Sequence, residues 1–525
     1  MALLAATALC ASLAAQSSSS FAAVRNLQLP GGWRPTAAAL ADLDGDGGED
    51  VVVAANERSK SFSRELQLWR KVAGGASYSL SERFALTPDV VAWALGDVRD
   101  GGGAEIVLFT ATGAFSWRPS GPPEARLERL AALEFLWQLP EPDECFHIEH
   151  LLRDVDGDGL TDVVAPGPHG YTVLVQRRPR AAEQPFGATS VLRMPEEEDA
   201  EGAWVSASAS EGASVRGRRN SSELSIRLGS DDVGEDGQVA SRVLVQVNES
   251  VPHAQWIDWD GDGKLDVLAQ TSTRLHVWRQ SANAAFSEAP ELSLALPVEA
   301  DRARRLDASY SSHAVDLDGD KRADCVVFAG DKRSEDVRTQ GLIFTQRAVK
   351  SGPPLFGENG RPSDLLVFGG FVSSPTFRDL DGDGLLDLSL RAVRPDLIDQ
   401  LRSAANESID AELYIYRNLG GRFSKQPDLM WRHAIPIQRF QLTSSFCGDL
   451  TGDKLSELLV RDRPEELRVL LLRAAPRGGA WSVLERPLWT LKIDARADVE
   501  LVETPGAKPR VLVIEPNQVL HVSFP

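Results

Sequence analysis

Apolar residues fall along this chain in short bursts separated by Gly, Asp and Pro. VVVAA (51–55), IVLFT (106–110), VVAP (163–166), VLAQ (267–270), CVVFA (325–329), LSL (388–390) and LLV (458–460) are all too short for helices, and most are rich in β-branched residues. An apolar stretch precedes most of them at a similar distance: TAAALA (36–41), VAWAL (91–95), EHLLR (149–153), AQWI (254–257) and SHAV (312–315). A third run follows and closes on Arg, as in LQLWR (66–70), FSWR (115–118), HVWR (276–279), YIYR (414–417) and LLLR (470–473). Runs of this length and composition, bounded by turn residues, predict strands. No long segment carries a 3.6-residue helical period. Each unit therefore reads as strand, loop, strand, turn, strand, then a more variable fourth strand.

The loop between the first two runs is a nine-residue acidic string. It is intact as DLDGDGGED (42–50), DVDGDGLTD (154–162), DWDGDGKLD (258–266) and DLDGDGLLD (379–387), and DLDGDKRAD (316–324) has lost one Gly. DVRDGGGAE (97–105) and DLTGDKLSE (449–457) are eroded copies, and ETPGAKPR (503–510) is a last echo. Start-to-start spacings of 55, 57, 104, 58, 63, 70 and 54 residues define a repeat protein, which overrides a domain count taken from length. Four-stranded units of this size are blades of a β-propeller. One blade cannot bury both faces, so the ring must close. Eight frames predict an all-β propeller of eight blades, or seven if the last echo is no repeat. The segment VRNLQLP (24–30) is placed to supply the outer strand that the last unit lacks. The long 104-residue spacing predicts an insertion at about 180–240, with AWVSASAS and SELSIRLGS as a hairpin.

The string D-x-D-G-D-G-x-x-D carries carboxylates at positions 1, 3, 5 and 9. Gly at positions 4 and 6 permits a tight backbone with φ > 0. Position 7 varies (Gly48, Leu160, Lys264, Arg322, Leu385), as expected if only its carbonyl is used. Hard oxygen donors of this number suit Ca²⁺; Mg²⁺ is poorly served by all-protein cages. The loops hold no His or Cys, which disfavours zinc. An EF-hand would need an acid at position 12, where Val53, Ala165, Ala269, Val327 and Leu390 stand instead.

The strings and their flanking strands resemble the FG-GAP or VCBS repeats of integrin-α-like β-propellers, over nearly the whole chain. The resemblance implies about four to five calcium ions, mainly structural, held between the first two strands of a blade. The implied ligands are Asp42, Asp44, Asp46, the Gly48 carbonyl and Asp50; Asp154, Asp156, Asp158, Leu160 and Asp162; Asp258, Asp260, Asp262, Lys264 and Asp266; and Asp379, Asp381, Asp383, Leu385 and Asp387. Asp316, Asp318, Asp320, Arg322 and Asp324 keep the frame, with added positive charge from Lys321 and Arg322. Arg99 interrupts the 97–105 loop, which is expected to bind nothing; Thr451 and Glu457 weaken 449–457.

Charge and composition bound the function. Lys and Arg total 56 against 76 Asp and Glu, a formal net charge of −20, which disfavours nucleic acid or an anionic membrane as partner. Four Cys make no disulfide framework. Residues 2–15, ALLAATALCASLAA, read as the apolar part of a signal peptide spanning 1–22, with cleavage near Ala15 or Ala22. The expected location is secreted, periplasmic or cell-surface. No other segment is long and apolar enough to span a membrane as a helix.

No nucleophile elbow, metalloprotease motif or phosphate loop is present. His147 and His150 flank Glu149; His253 and His313 fall in innermost-strand regions, and Glu149, His253 and Asp498 are candidates to share a channel mouth. A polar channel lining accounts for them without catalysis. Trp69, Trp93, Trp256 and Trp278 sit inside strand patterns and are expected in the core. The leading expectation is a monomeric, non-catalytic scaffold binding a protein or glycan. The alternative is a carbohydrate-active enzyme resembling a polysaccharide lyase.

Overall fold

The computed structural model describes residues 21–524, except 60–62, 73–76, 120–121, 136–145, 149–150, 168, 182–183, 196–203, 209–211, 220–221, 234–238, 250–253, 271–273, 283, 296–307, 332–337, 348–354, 357–360, 370, 394–407, 437–443, 475–479 and 505–506. Residues 1–20 of the expected leader, Cys145, Glu149, His150 and His253 lie outside these.

The units fold as antiparallel four-stranded meanders arranged about one axis. The first blade is Trp33–Ala41, Asp50–Glu57, Arg64–Lys71 and Tyr78–Leu86. The second is Val90–Gly96, Glu105–Thr110, Gly113–Trp117 and Leu127–Ala132. The third is Leu152–Arg153, Asp162–Gly167, Gly170–Ala181 and Gln184–Arg193. The fourth is Ala254–Ile257, Asp266–Gln270, Arg274–Trp278 and Leu292–Ala295. The fifth is Ala308–Val315, Asp324–Asp331, Arg338–Phe344 and Asp364–Gly369. The sixth is Phe371–Arg378, Asp387–Val393, Ser408–Tyr416 and Leu429–Pro436. The seventh is Ser444–Phe446, Leu458–Arg463, Glu466–Leu470 and Trp489–Lys492. The eighth is Asp498–Val502, Arg510–Glu515 and Gln518–Ser523, completed on its outer edge by Ala23–Gln28. That N-terminal strand pairs antiparallel with Gln518–Ser523, from Ala23 opposite Ser523 to Gln28 opposite Gln518. The ring is thus closed by strands from opposite ends of the chain, and the count is eight.

The second strands explain why the blades must stack. Val51, Val52, Val53, Ala54 and Ala55 are all buried, so both faces of the strand need cover. Among the described residues the core divides into eight apolar clusters, and each joins one blade to the next. The first–second seam holds Trp93 and Leu66, and the eighth–first seam holds Leu27, Val53 and Trp69. Trp278 lies in the third–fourth seam with Trp256 packed against it, so all four of these tryptophans serve the core. Cys325 and Cys447 are buried, unpaired and apolar in role.

The insertion differs from the expected span. Residues 170–193 finish the third blade, and the third and fourth blades pack directly on each other. The intervening chain forms a separate four-stranded sheet, Trp204–Ser208, Gly212–Arg219, Ser222–Val233 and Val239–Glu249, rather than a single hairpin.

One strand was not foreseen. Phe146–His147 pairs parallel with Val90–Gly96 on its inner edge, inside the ring. The His147 ring lies 4.5 Å from that of Trp93, and its Nδ1 is 3.9 Å from the Glu500 carboxylate of the eighth blade. His313 packs against Phe328 and Phe377. No helix among the described residues is long and apolar enough to cross a membrane.

Candidate metal centre

Each acidic loop leaves the innermost strand of its blade and returns as the second strand. Its shape comes from its own carboxylates. The first Asp caps the turn in every intact loop: Asp42 accepts from the N–H of Gly45 (2.7 Å) and Gly47 (2.8 Å), and Asp154, Asp258 and Asp379 repeat the pattern. The glycines at positions 4 and 6 have φ of +73° to +88°. Lys321, where the fifth loop lost its glycine, is held at +69°, a left-handed conformation costly for a residue with a Cβ.

The ninth position is a brace. One oxygen of Asp50, Asp162, Asp266, Asp324 and Asp387 accepts the N–H of loop position 2, and Glu105 and Glu457 do the same in the eroded loops. In four loops the other oxygen accepts a backbone N–H from Gln176 within the third strand, or from Gln280, Gln346 or Asn418 just past it. Burial pushes Asp50 up to about 6 and Asp162, Asp266, Asp324 and Asp387 up to about 7, against the pull of these amides. A buried carboxylate penalised in this way gains from an adjacent cation.

The candidate ligands do converge. One oxygen from each of Asp42, Asp44 and Asp46 lies within 4.8 Å of the others; so do those of Asp258, Asp260 and Asp262, and of Asp316, Asp318 and Asp320. In the third and sixth loops the trio is Asp154, Asp156 and Asp162, and Asp379, Asp381 and Asp387. A spacing of this size is what one Ca²⁺ at about 2.4 Å from each oxygen spans. Oδ1 of Asp260 and Oδ1 of Asp381 are buried with no hydrogen-bond donor, as a metal-facing oxygen would be. The donor set therefore fits the cation. The position-7 residues have a second role: the N–H of Gly48, Leu160, Lys264, Arg322 and Leu385 donates to the position-5 carboxylate, at 2.6–3.0 Å.

The eroded loops carry internal cations. Arg99 turns away from its loop and, 5% exposed, donates to Ser116 Oγ and to the carbonyls of Ser116, Ala125 and Arg126. Arg118 holds Glu105 from the other side (Nε–Oε1 2.7 Å). Lys508 donates to the carbonyls of Asp449 and Leu450 in the seventh loop (3.1 and 3.4 Å).

Two recurring roles escaped the sequence reading. The Arg that closes the third run reaches the position-3 carboxylate: Arg70–Asp44 at 2.9 Å and Arg279–Asp260 at 3.3 Å, with Arg177–Asp156 (2.6 Å) equivalent. The amide residue beside it clamps neighbouring blades. Gln176, Gln280, Gln346 and Asn418 donate side-chain N–H groups to carbonyls of the preceding blade's loop, at Asp97, Val155, Trp259 and Leu317. The signal was present as Q-R, R-Q, Q-R and R-N after the third run, but its purpose needs the neighbouring blade.

Residues 258–327 match the family described as FG-GAP-like repeat. No curated protein matches the chain. Among solved structures it is similar to the rhamnogalacturonan lyase YesW (13% identity, covering 95% of this chain and 75% of that one, TM-score 0.33). It is also similar to Sqt1 from Chaetomium thermophilum (10%, 95% and 99%, TM-score 0.36) and to BBS1N in complex with ARL6DN (10%, 95% and 98%, TM-score 0.29).

Proposed function

We propose that this FG-GAP repeat β-propeller is an exported, non-catalytic scaffold whose loops bind structural Ca²⁺ and whose surface binds a protein or glycan. The observation that carries the calcium reading is the convergence of carboxylate oxygens in five loops, with Oδ1 of Asp260 and Asp381 buried and lacking any donor. Calcium supplies a divalent charge; the chain supplies backbone amides that aim the carboxylates and seams that hold the loops in place. Metal binding and folding are then linked.

The leader belongs to the same reading. Phe21 lies 6.1 Å from Phe524, and Ala22 is buried in the seam of the seventh and eighth blades. A cut near Ala15 keeps both, whereas one after Ala22 removes them. The inner strand at Phe146–His147 occupies lumen that a deep catalytic cleft would need, which favours a binding surface.

The test is calcium titration of EDTA-stripped protein by calorimetry, with elemental analysis. Heats saturating at four to five ions are expected; no bound metal and no heat would overturn the calcium reading. Calcium-dependent formation of product absorbing at about 235 nm from an acidic polysaccharide would replace the scaffold with an enzyme.

A further inference from the structure

Four of the five loops with a full set of carboxylates already hold a side-chain cation. Arg70 sits on Asp44 and Arg177 on Asp156. The fourth loop has Arg279 on Asp260 and Lys264 on Asp262. In the fifth, Arg347 stands after Gln346 as Arg177 stands after Gln176, and it is Arg322 that folds back on a loop carboxylate, Asp320, at 2.9 Å. The sixth is different. Its Arg417 occupies the same place after the third strand, yet it pairs with Asp428 (Nε–Oδ1 2.8 Å) and lies over the Trp481 ring, 5.6 Å from its centroid. The other Asp428 oxygen accepts the Arg417 N–H at 2.9 Å, fixing the pair. Among the described residues, no Lys or Arg lies within ion-pair distance of Asp379, Asp381, Asp383 or Asp387.

A guanidinium or ammonium on a ligand carboxylate cancels one charge and competes for its oxygen. We infer that the sixth-blade loop, 379–387, is the first and tightest calcium site, and that Asp428 makes it so by holding Arg417 off Asp381. Loading then runs from the sixth blade outward, and the last ions enter the loops that must displace or share a bound cation. Asp428 acts through Arg417 and touches no ion, so it is a positioning residue. The inference rests on the calcium reading above.

The test is calorimetric titration of the EDTA-stripped full chain with CaCl₂, with folding checked by circular dichroism. Asp381→Asn should abolish the tightest step, whereas Asp44→Asn should leave it in place. Asp428→Asn frees Arg417 to swing onto Asp381 and should weaken that step by about tenfold, the scale of one added charge at short range. Adding Arg417→Gln to Asp428→Asn should restore it. If Asp428→Asn does not fold, the Asp381→Asn and Asp44→Asn pair still decides. A tightest step that survives Asp381→Asn overturns the inference while leaving calcium binding intact. A wild-type chain that takes up no calcium overturns the calcium reading itself.

Discussion

His521 stands at the seam that closes the ring, 2% exposed, with Nδ1 3.1 Å from the Tyr78 hydroxyl. That hydroxyl donates to the Glu49 carbonyl, which leaves it to accept from Nδ1–H. Burial, with Arg25, Arg510 and Lys71 nearby, lowers the His521 pKa to about 4. The unfolded chain takes up a proton near 6.5 that the folded chain refuses until about 4. Stability from this group is therefore complete above pH 6.5 and falls as pH drops toward 4, by about 3 kcal/mol in all. Urea unfolding at pH 7 and pH 4.5 should show a smaller loss in His521→Gln than in wild type; an equal loss would place the titration elsewhere. Gln346 makes a second case. Its side chain bridges the carbonyls of Trp259 and Ala323 at 2.9 and 3.0 Å. Gln346→Leu strands both acceptors in the fourth–fifth seam and should cost about 2–4 kcal/mol, read as a lower urea midpoint at unchanged slope. Neither role was legible in the sequence, since one His or Gln beside an Arg says nothing of the blade opposite. The carboxylates were legible because their spacing is local: four fall within nine residues, and the turn is built from their own amides.

Strands and loops follow from local pattern more fully than seams do. The bursts at 51–55, 106–110 and 325–329 are second strands buried on both faces, and the alternation in Ala23–Gln28 buries Leu27 while Val24 stays 41% exposed. That alternation gives a direct measure of closure. Leu27→Ala removes a fully buried side chain from the eighth–first seam and should cost about 2–5 kcal/mol. Val24→Ala in the same strand should change stability by less than about 0.5 kcal/mol. Equal effects on the unfolding midpoint would mean that the N-terminal strand does not close the ring. The insertion was harder to bound, because strands at 170–181 and 184–193 carry no acidic string after them to mark where the third blade ends. The strand at Phe146–His147 was invisible for another reason. Two residues show no period, and their partner in Val90–Gly96 already had a full complement of predicted neighbours.

At the scale of the whole ring, the net charge of −20 is concentrated rather than spread. Four carboxylates at positions 1, 3, 5 and 9 in each of five loops make twenty, and five Ca²⁺ would return ten positive charges. Carboxylate oxygens within 4.8 Å of one another repel in the metal-free chain, and the arginines at Asp44, Asp156 and Asp260 relieve only part of this. Calcium should act here as a set of staples. At ~100 times its dissociation constant each ion adds about 2.7 kcal/mol, and extracellular modules bind at about 10⁻⁴–10⁻³ M, so saturation needs millimolar calcium or more. EDTA should therefore lower the melting temperature by on the order of 10 °C, and excess Ca²⁺ should restore it. Salt separates repulsion from any general loss of fold. The screening length shrinks from about 8 Å at 0.15 M to about 3 Å at 1 M, down to the scale of the 4.8 Å within which the clustered oxygens lie. The melting temperature in EDTA should rise between 0.15 and 1 M NaCl, while that of the calcium-loaded protein should move much less. A melting temperature that responds equally to NaCl in both states would locate the charge strain outside the loops.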